Sequence, residues 1–211
     1  LQKEELKRIS DSRETKTIKK GNLVFNEGDH LQGIFCVRKG VSKLSKISSE
    51  GRNQILKLAS EGEVLGLTSL FTMDAAYLSA TVVDDMEVCF IPKERIIEVV
   101  QGNPEYAMEL LHQLAQDVKE ADSVIVNMSL KTVKQRMAEA ILYVRDTFGE
   151  DKDGFLKLKL SRDDIASLVG TATESCIRII SEFKKRGWLK TSGKKIGIVD
   201  QNSLQRMLKG F

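Results

Sequence analysis

The sequence predicts an α+β chain in three parts: a β-rich N-terminal domain over 1–103, one long helix over 104–130, and a basic module of helices and a hairpin over 131–211. Three observations carry this. Seven of the fifteen glycines fall before residue 67 (Gly21, Gly28, Gly33, Gly40, Gly51, Gly62 and Gly66), with short β-prone runs between them. From Pro104 no glycine or proline intervenes until Gly149, and apolar residues recur there at helical spacing. The charge is also divided. Up to Leu130 the chain holds 16 Lys+Arg against 20 Asp+Glu, net −4, and beyond it 17 against 10, net +7. A basic C-terminal part points to an anionic partner, although charge alone is equally consistent with a solvated basic domain.

Whole-chain composition sets the bounds. The chain has 211 residues, 41% hydrophobic and 30% charged, and a net charge of only +3. That is ordinary for a globular protein and argues against a disordered or collagen-like chain. The longest apolar run, Ala140 to Val144, is far short of the roughly 18 residues of a transmembrane helix, so no membrane partner is expected. No signal peptide is legible. Cys36, Cys89 and Cys176, an odd number at wide spacing, suit reduced thiols in a cytoplasmic protein. The chain begins at Leu1 and not at Met, which leaves room for native residues upstream.

In the N-terminal part, Leu23 to Phe25, Ile34 to Val37, Gln54 to Leu58, Ala80 to Val83 and Met86 to Ile91 read as strands of an antiparallel β domain. The two prolines sit at helix starts: Pro92 opens Lys93 to Val100, and Pro104 follows Asn103, a good N-cap, with Glu105 in the first turn. In the long helix Leu111, Leu114, Val118, Ala121, Ile125 and Met128 alternate spacings of three and four, flanked by Gln116, Asp117, Lys119, Glu120 and Asp122. This heptad seam suits pairing with an identical helix in a homodimer. The alternative is a helix packed on its own domain.

In the basic part Ser161 caps Arg162 to Leu168, with Asp163 and Asp164 in the first turn. A turn at Val169-Gly170-Thr171 leads to Ala172 to Lys185, where Cys176, Ile179, Ile180 and Phe183 form a buried face. Gly187 ends that helix, Trp188 to Thr191 and Ile196 to Val199 are strands, and Ser192-Gly193 is their turn. Helix, tight turn, helix and basic hairpin describe a winged helix-turn-helix, and with it double-stranded DNA as the partner.

The outward side of the second helix carries Thr173, Glu174, Ile177 and Arg178. A carboxylate accepts from cytosine N4, a guanidinium donates bidentately to guanine O6 and N7, and an exposed isoleucine is covered by a thymine methyl. Glu174 has two plainer roles open to it: a capping box with Thr171, or an i,i+4 ion pair with Arg178. Arg162, Ser175, Lys194 and Lys195 are the candidate phosphate contacts.

With this order of parts, Gly62-Glu63-Val64-Leu65-Gly66 in the β domain and Thr173-Glu174-Ser175-Cys176-Ile177-Arg178 in the second basic helix, the chain resembles the CRP/FNR family of bacterial transcription regulators over nearly its full length. The resemblance implies a cyclic-nucleotide-binding-type β-roll (a double-stranded β-helix, or jelly roll), homodimerisation through the long helix, a palindromic promoter site with TGA-containing half-sites, and RNA polymerase as a partner. Thr173 stands where the CRP branch carries another base-reading arginine, which leaves the outer bases of the half-site open.

Family members that bind cyclic AMP have a glutamate just after the cassette glycine and an Arg-Ser pair further on. Here Gly66 is followed by Leu67-Thr68-Ser69, and Ser79 is preceded by Tyr77-Leu78. A buried phosphate without a compensating charge is expensive, so the usual cyclic AMP mode is not expected. Gly66, Leu67, Ser69, Leu78 and Ser79 remain the candidate effector pocket for another small molecule. An iron-sulfur centre of the FNR type calls for four cysteines, three of them clustered near the N-terminus. Haem stays open through His30 and His112, against the plainer reading of both as surface or packing residues. The expected switch is a hinge near Leu130 to Lys134. The competing class is a nucleotide- or haem-binding regulatory module acting on a protein partner. No nucleophile elbow, metal-ligand cluster or phosphate-binding glycine loop supports an enzyme.

Overall fold

The computed structural model describes residues 14–209. The strands are β1 (Glu14–Ile18), β2 (Leu23–Phe25), β3 (Gly33–Ile47), β4 (Asn53–Ala59), β5 (Val64–Leu65), β6 (Ser79–Pro92), β7 (Leu189–Ser192) and β8 (Lys195–Ile198). The helices are α1 (Leu67–Thr72), α2 (Lys93–Gly102), α3 (Pro104–Leu130), α4 (Val133–Phe148), α5 (Arg162–Val169), α6 (Thr173–Lys185) and α7 (Gln201–Leu208). Two compact units result: the chain up to Lys46 with Leu56–Asp122, and Ile47–Ile55 with Ser123 onward.

In the first unit the sheet runs β1-β6-β3-β4, with β2 added to β6 and β5 to β3. The runs Ala80 to Val83 and Met86 to Ile91, expected as two strands, are one strand, β6. Asp84 and Asp85 interrupt the apolar pattern in sequence but are exposed positions within this one strand, with Asp84 opposite Val41 of β3. That ladder shifts register between Val37 and Ser42, and such bulges bend and twist a long strand pair into a roll. Gly40 sits in the shifted segment at φ +87, where an added Cβ would run into the Asp85 carbonyl. Phe25, Val37, Met86 and Val88 are buried in the roll's core. A second cluster, Ile34, Leu67, Leu70, Ile91, Ile96 and Leu110, joins α1, α2 and the start of α3 to the sheet.

In the second unit α4 begins after a break at Lys131 and Thr132 that no glycine or proline announces. The break is made by a capping box, in which Thr132 accepts from the Gln135 amide and the Gln135 side chain accepts from the Thr132 amide. Helices α5 and α6 follow, then the β7–β8 hairpin. The hairpin lies one residue later at its start and one earlier at its return than expected, because the Trp188 carbonyl accepts from the amides of Val199 and Asp200 outside the ladder. Strand β1 and helices α1 and α7 carry sequence signals too short to be expected.

Replacing Gly40 with alanine forces a side chain into a left-handed backbone and against the neighbouring strand. We expect a loss of about 3 kcal/mol in the β-roll's unfolding transition, measured by urea denaturation, with the winged unit's Trp188 emission midpoint unchanged.

Candidate nucleic-acid interface

Helix α5 is capped by Ser161, whose side chain accepts from the Asp164 amide while the Asp164 carboxylate accepts from the Ser161 amide. It ends at Gly170 in the left-handed region, φ 70, a C-cap that costs a glycine nothing. Helix α6 then begins with Ala172 as N-cap and no side-chain cap bond. The Thr171 capping box considered for Glu174 therefore does not form, and the Thr171 amide donates instead to the Ala166 carbonyl.

Cys176, Ile179, Ile180 and Phe183 are buried, as the spacing predicts. The far end of α6 is tied to α4 by Glu182, whose carboxylate lies 2.8 Å from both Lys134 and Arg186. The hydrogen bond from Lys134 leads in holding the Glu182 carboxyl below its ordinary pKa. Glu174, Ile177 and Arg178 lie on the opposite, exposed side, with Ile177 48% exposed. Among the described residues neither Glu174 nor Arg178 has a hydrogen-bond or ion-pair partner, so the alternative i,i+4 pair is not made.

The other predicted contacts are placed differently. The Thr173 hydroxyl donates to Asp163 at 2.8 Å, tying the start of α6 to α5. Ser175 is half-buried. Arg162 donates to the carbonyls of Gly193 and Lys194 at 3.3 and 3.4 Å and so holds the wing's turn. Lys194 is exposed, whereas Lys195 pairs with Asp151 at 3.2 Å. Sequence reasoning passed over Lys190, which donates to the Asp153 carbonyl and lies over the Phe155 ring, and Arg136, which donates to carbonyls just before α4 and at the end of α5. Only a long-range contact reveals such roles, and neither residue stands in a local motif.

Helix α3 has two apolar sides. Leu110 is buried and Tyr106 and Leu114 pack against the sheet cluster, while Asp117 and Glu120 reach Lys57 of β4 at 2.8 and 3.3 Å, beside Glu63 at 2.8 Å. Burial works against the Lys57 charge, but hydrogen bonds to Asp117 and Glu63 outweigh it and raise the ammonium pKa above the ordinary value. On the other side Met108, Leu111, Val118 and Ile125 are 65%, 57%, 62% and 64% exposed. The six predicted seam residues thus divide: Leu111, Val118 and Ile125 form the open stripe with Ala121 exposed beside it, Leu114 serves its own domain, and Met128 lies against Gly170.

In the effector cassette Gly66 is left-handed, φ 91, and Leu67 behind it is buried in the cluster under α3. Ser69 and Leu78 are half-buried. The Ser79 hydroxyl donates to the Asn26 side chain and accepts from the Glu27 amide, both at 2.9 Å. Lys46, next to Ser79's cross-strand partner Ser45, is ion-paired to Glu27 at 2.8 Å. A buried leucine, a committed hydroxyl and a neutralised lysine do not fit the ribose and cyclic phosphate of a cyclic nucleotide held in the usual way. His30 and His112 are exposed, and the His112 ring contacts Gln116 at 2.9 Å.

Cys36 and Cys89 are register partners across β3 and β6, a neighbourhood not evident from their spacing in the chain. Burial pushes the Cys36 and Cys176 thiols up from 9.0 to about 11. At pH 8 only about one in a thousand of each is thiolate in the folded protein. We expect a chromogenic disulfide reagent to label them slowly in the native state and within seconds after denaturation. Because the unfolded chain loses these protons first, stability should fall as pH rises from 9.0 toward about 11.

Residues 15–103 match the cyclic nucleotide-binding domain family and residues 135–207 the Crp-like helix-turn-helix domain family. The chain is 28% identical over 196 residues to the transcriptional activator protein anr of Pseudomonas aeruginosa, covering 92% of this chain and 80% of that one. It is 25% identical over 189 residues to the CRP-like cAMP-activated global transcriptional regulator of Mycobacterium tuberculosis, covering 89% and 84%. A transcriptional regulator of the crp/fnr family from Eubacterium rectale shares the fold, with TM-score 0.83 at 23% identity over 99% of this chain and 95% of that one. With both domains matched in the order that the fold displays, the chain belongs to the CRP/FNR family of transcription regulators.

Proposed function

We propose that this regulator acts as a homodimer paired through α3, places two copies of α6 in successive major grooves, and reads a palindromic site with TGA-containing half-sites. The single observation that carries the base reading is the exposed, unpartnered Glu174, Ile177 and Arg178 on a helix whose other side is buried. A carboxylate and a guanidinium left without partners on a protein surface suit a G·C pair, and the isoleucine between them suits a thymine methyl. Lys194 at the wing tip is the phosphate contact best placed to reach DNA, with Ser175 beside the groove. Arg162 and Lys195 contribute by holding the wing. Thr173 sits at the edge of the read bases with its hydroxyl engaged.

The open stripe Met108, Leu111, Val118 and Ile125 supports the dimer, because apolar residues at this spacing and exposure gain by covering one another. The β-roll senses an effector other than cyclic AMP bound in the usual way, and the regulator works through RNA polymerase, with no catalytic step of its own.

Arg178→Ala should lower affinity for the palindrome by about 1–3 kcal/mol and relax preference at one base position, measured by fluorescence anisotropy against single-base variants. Unchanged specificity would remove α6 from base reading. Binding should weaken linearly in log–log salt titration, and Lys194→Ala should flatten that slope by about one. Leu111→Glu with Val118→Glu should give a folded monomer by sedimentation, whereas Leu114→Glu should damage the β-roll itself; a double variant that still sediments as a dimer would overturn the stripe.

A further inference from the structure

Helix α3 stops at Leu130 and α4 starts at Val133, so the final carbonyls of α3 need donors from outside the helix. Arg136 reaches one of them, at Met128, and holds the carbonyl of Lys131 just beyond the helix end. Its Nη1 donates to the Lys131 carbonyl at 2.7 Å and reaches that of Met128 at 3.5 Å. Its other donors turn the opposite way: Nε donates to the Val169 carbonyl at 2.8 Å and Nη2 to that of Gly170 at 3.2 Å. Val169 ends α5, and Gly170 is the left-handed residue of the turn into α6. One planar cation therefore joins the negative ends of two helices, the dimer helix and the first helix of the helix-turn-helix. The surroundings are tight. A Cβ at Gly170 would lie 2.7 Å from the Met128 sulfur, and Lys131 is itself held by Glu139 at 2.7 Å.

From this arrangement we infer that Arg136 is a positioning residue for DNA binding: it fixes how α6 is carried by the end of α3, and so sets the distance between the two half-sites without touching DNA. The inference rests on the dimeric reading of α3 and α6 above. A guanidinium is required because only a rigid fork of donors serves carbonyls on two sides at once; a lysine ammonium is a point charge that satisfies one side. The clamp spans the two-residue link Lys131-Thr132, beside the Lys131–Glu139 ion pair and the Thr132–Gln135 capping box.

Two arms test this on the full-length protein. The first needs no DNA. Arg136→Met and Arg136→Lys should speed tryptic cleavage after Lys131, whose carbonyl the guanidinium holds, by about tenfold or more, with cleavage elsewhere unchanged. The second compares a single half-site duplex, the palindrome, and palindromes with two base pairs inserted or removed. The wild type should bind the native spacing about tenfold or more better than the altered ones. Arg136→Met should lose most of that discrimination while its half-site affinity stays within about threefold, and Arg136→Lys should retain part of it. Wild-type cleavage rates in the variants, or half-site affinity falling in step with palindrome affinity, would overturn the inference and leave Arg136 a fold-stabilising residue only. A wild type with no preference for the palindrome would defeat the dimeric reading instead, while the proteolysis arm still decides whether the clamp exists.

Discussion

Everything this protein can do with DNA depends on how α6 is seated. Four residues at helical spacing, Cys176, Ile179, Ile180 and Phe183, are buried, each worth about 1.5–3 kcal/mol for the large side chains. That burial admits only one rotation of the helix about its axis. Turning α6 by one residue would bring Ile177 inside and expose part of this core. The outward placement of Glu174 and Arg178 is thus a consequence of packing on the other side. Polar ties at both ends, Thr173 to Asp163 and Glu182 to Lys134, then fix the helix along its length.

The long helix α3 solves a related problem with two faces. Its inner side is bound to the β-roll by Leu110 and by the Lys57 cluster, in which one ammonium serves Glu63, Asp117 and Glu120. Removing the lysine would leave three carboxylates crowded together, a larger penalty than the loss of one exposed ion pair. The cluster places a sheet strand, the turn at Glu63 and the long helix α3 on a single charge. A ligand that moved the Glu63 turn would therefore act on α3 directly, which is the kind of differential contact an allosteric effector requires.

Much of this was legible in the sequence because local chemistry decided it. The capping residue Ser161, the turn at Gly170, the buried face of α6 and the start of α3 at Pro104 all follow from short-range rules that the fold obeys. Where several residues competed for one role, the sequence left the answer open. The helical spacing of α3 holds Leu111 and Leu114 equally, and only the position of the β-roll decides that one is exposed and the other packed. The charges of Arg162 and Lys195 suggested phosphates, and the sequence does not show that wing carbonyls and Asp151 also lie within their reach. Asp84-Asp85 separates two apolar runs in sequence, yet β6 continues through both, with Asp84 opposite Val41 of β3. The Arg136 clamp joins segments more than thirty residues apart and has no local signature at all.

The effector cassette shows the same limit from the other side. Its backbone keeps the left-handed glycine of Gly66, while the side chains at the positions that would meet a cyclic nucleotide include a buried leucine, Leu67, and a serine, Ser79, already bonded at both ends. The scaffold is of the cyclic-nucleotide type, and these side chains do not fit the nucleotide held in the usual way. Base reading by α6 is the central claim, and selection of binding sites by the purified protein from a fully randomised duplex library tests it most directly. The expected result is a two-fold symmetric site with a G·C pair in each half-site that disappears when Glu174 and Arg178 are both replaced by alanine. Enrichment of no symmetric sequence, or of the same sequence by the double variant, would contradict it.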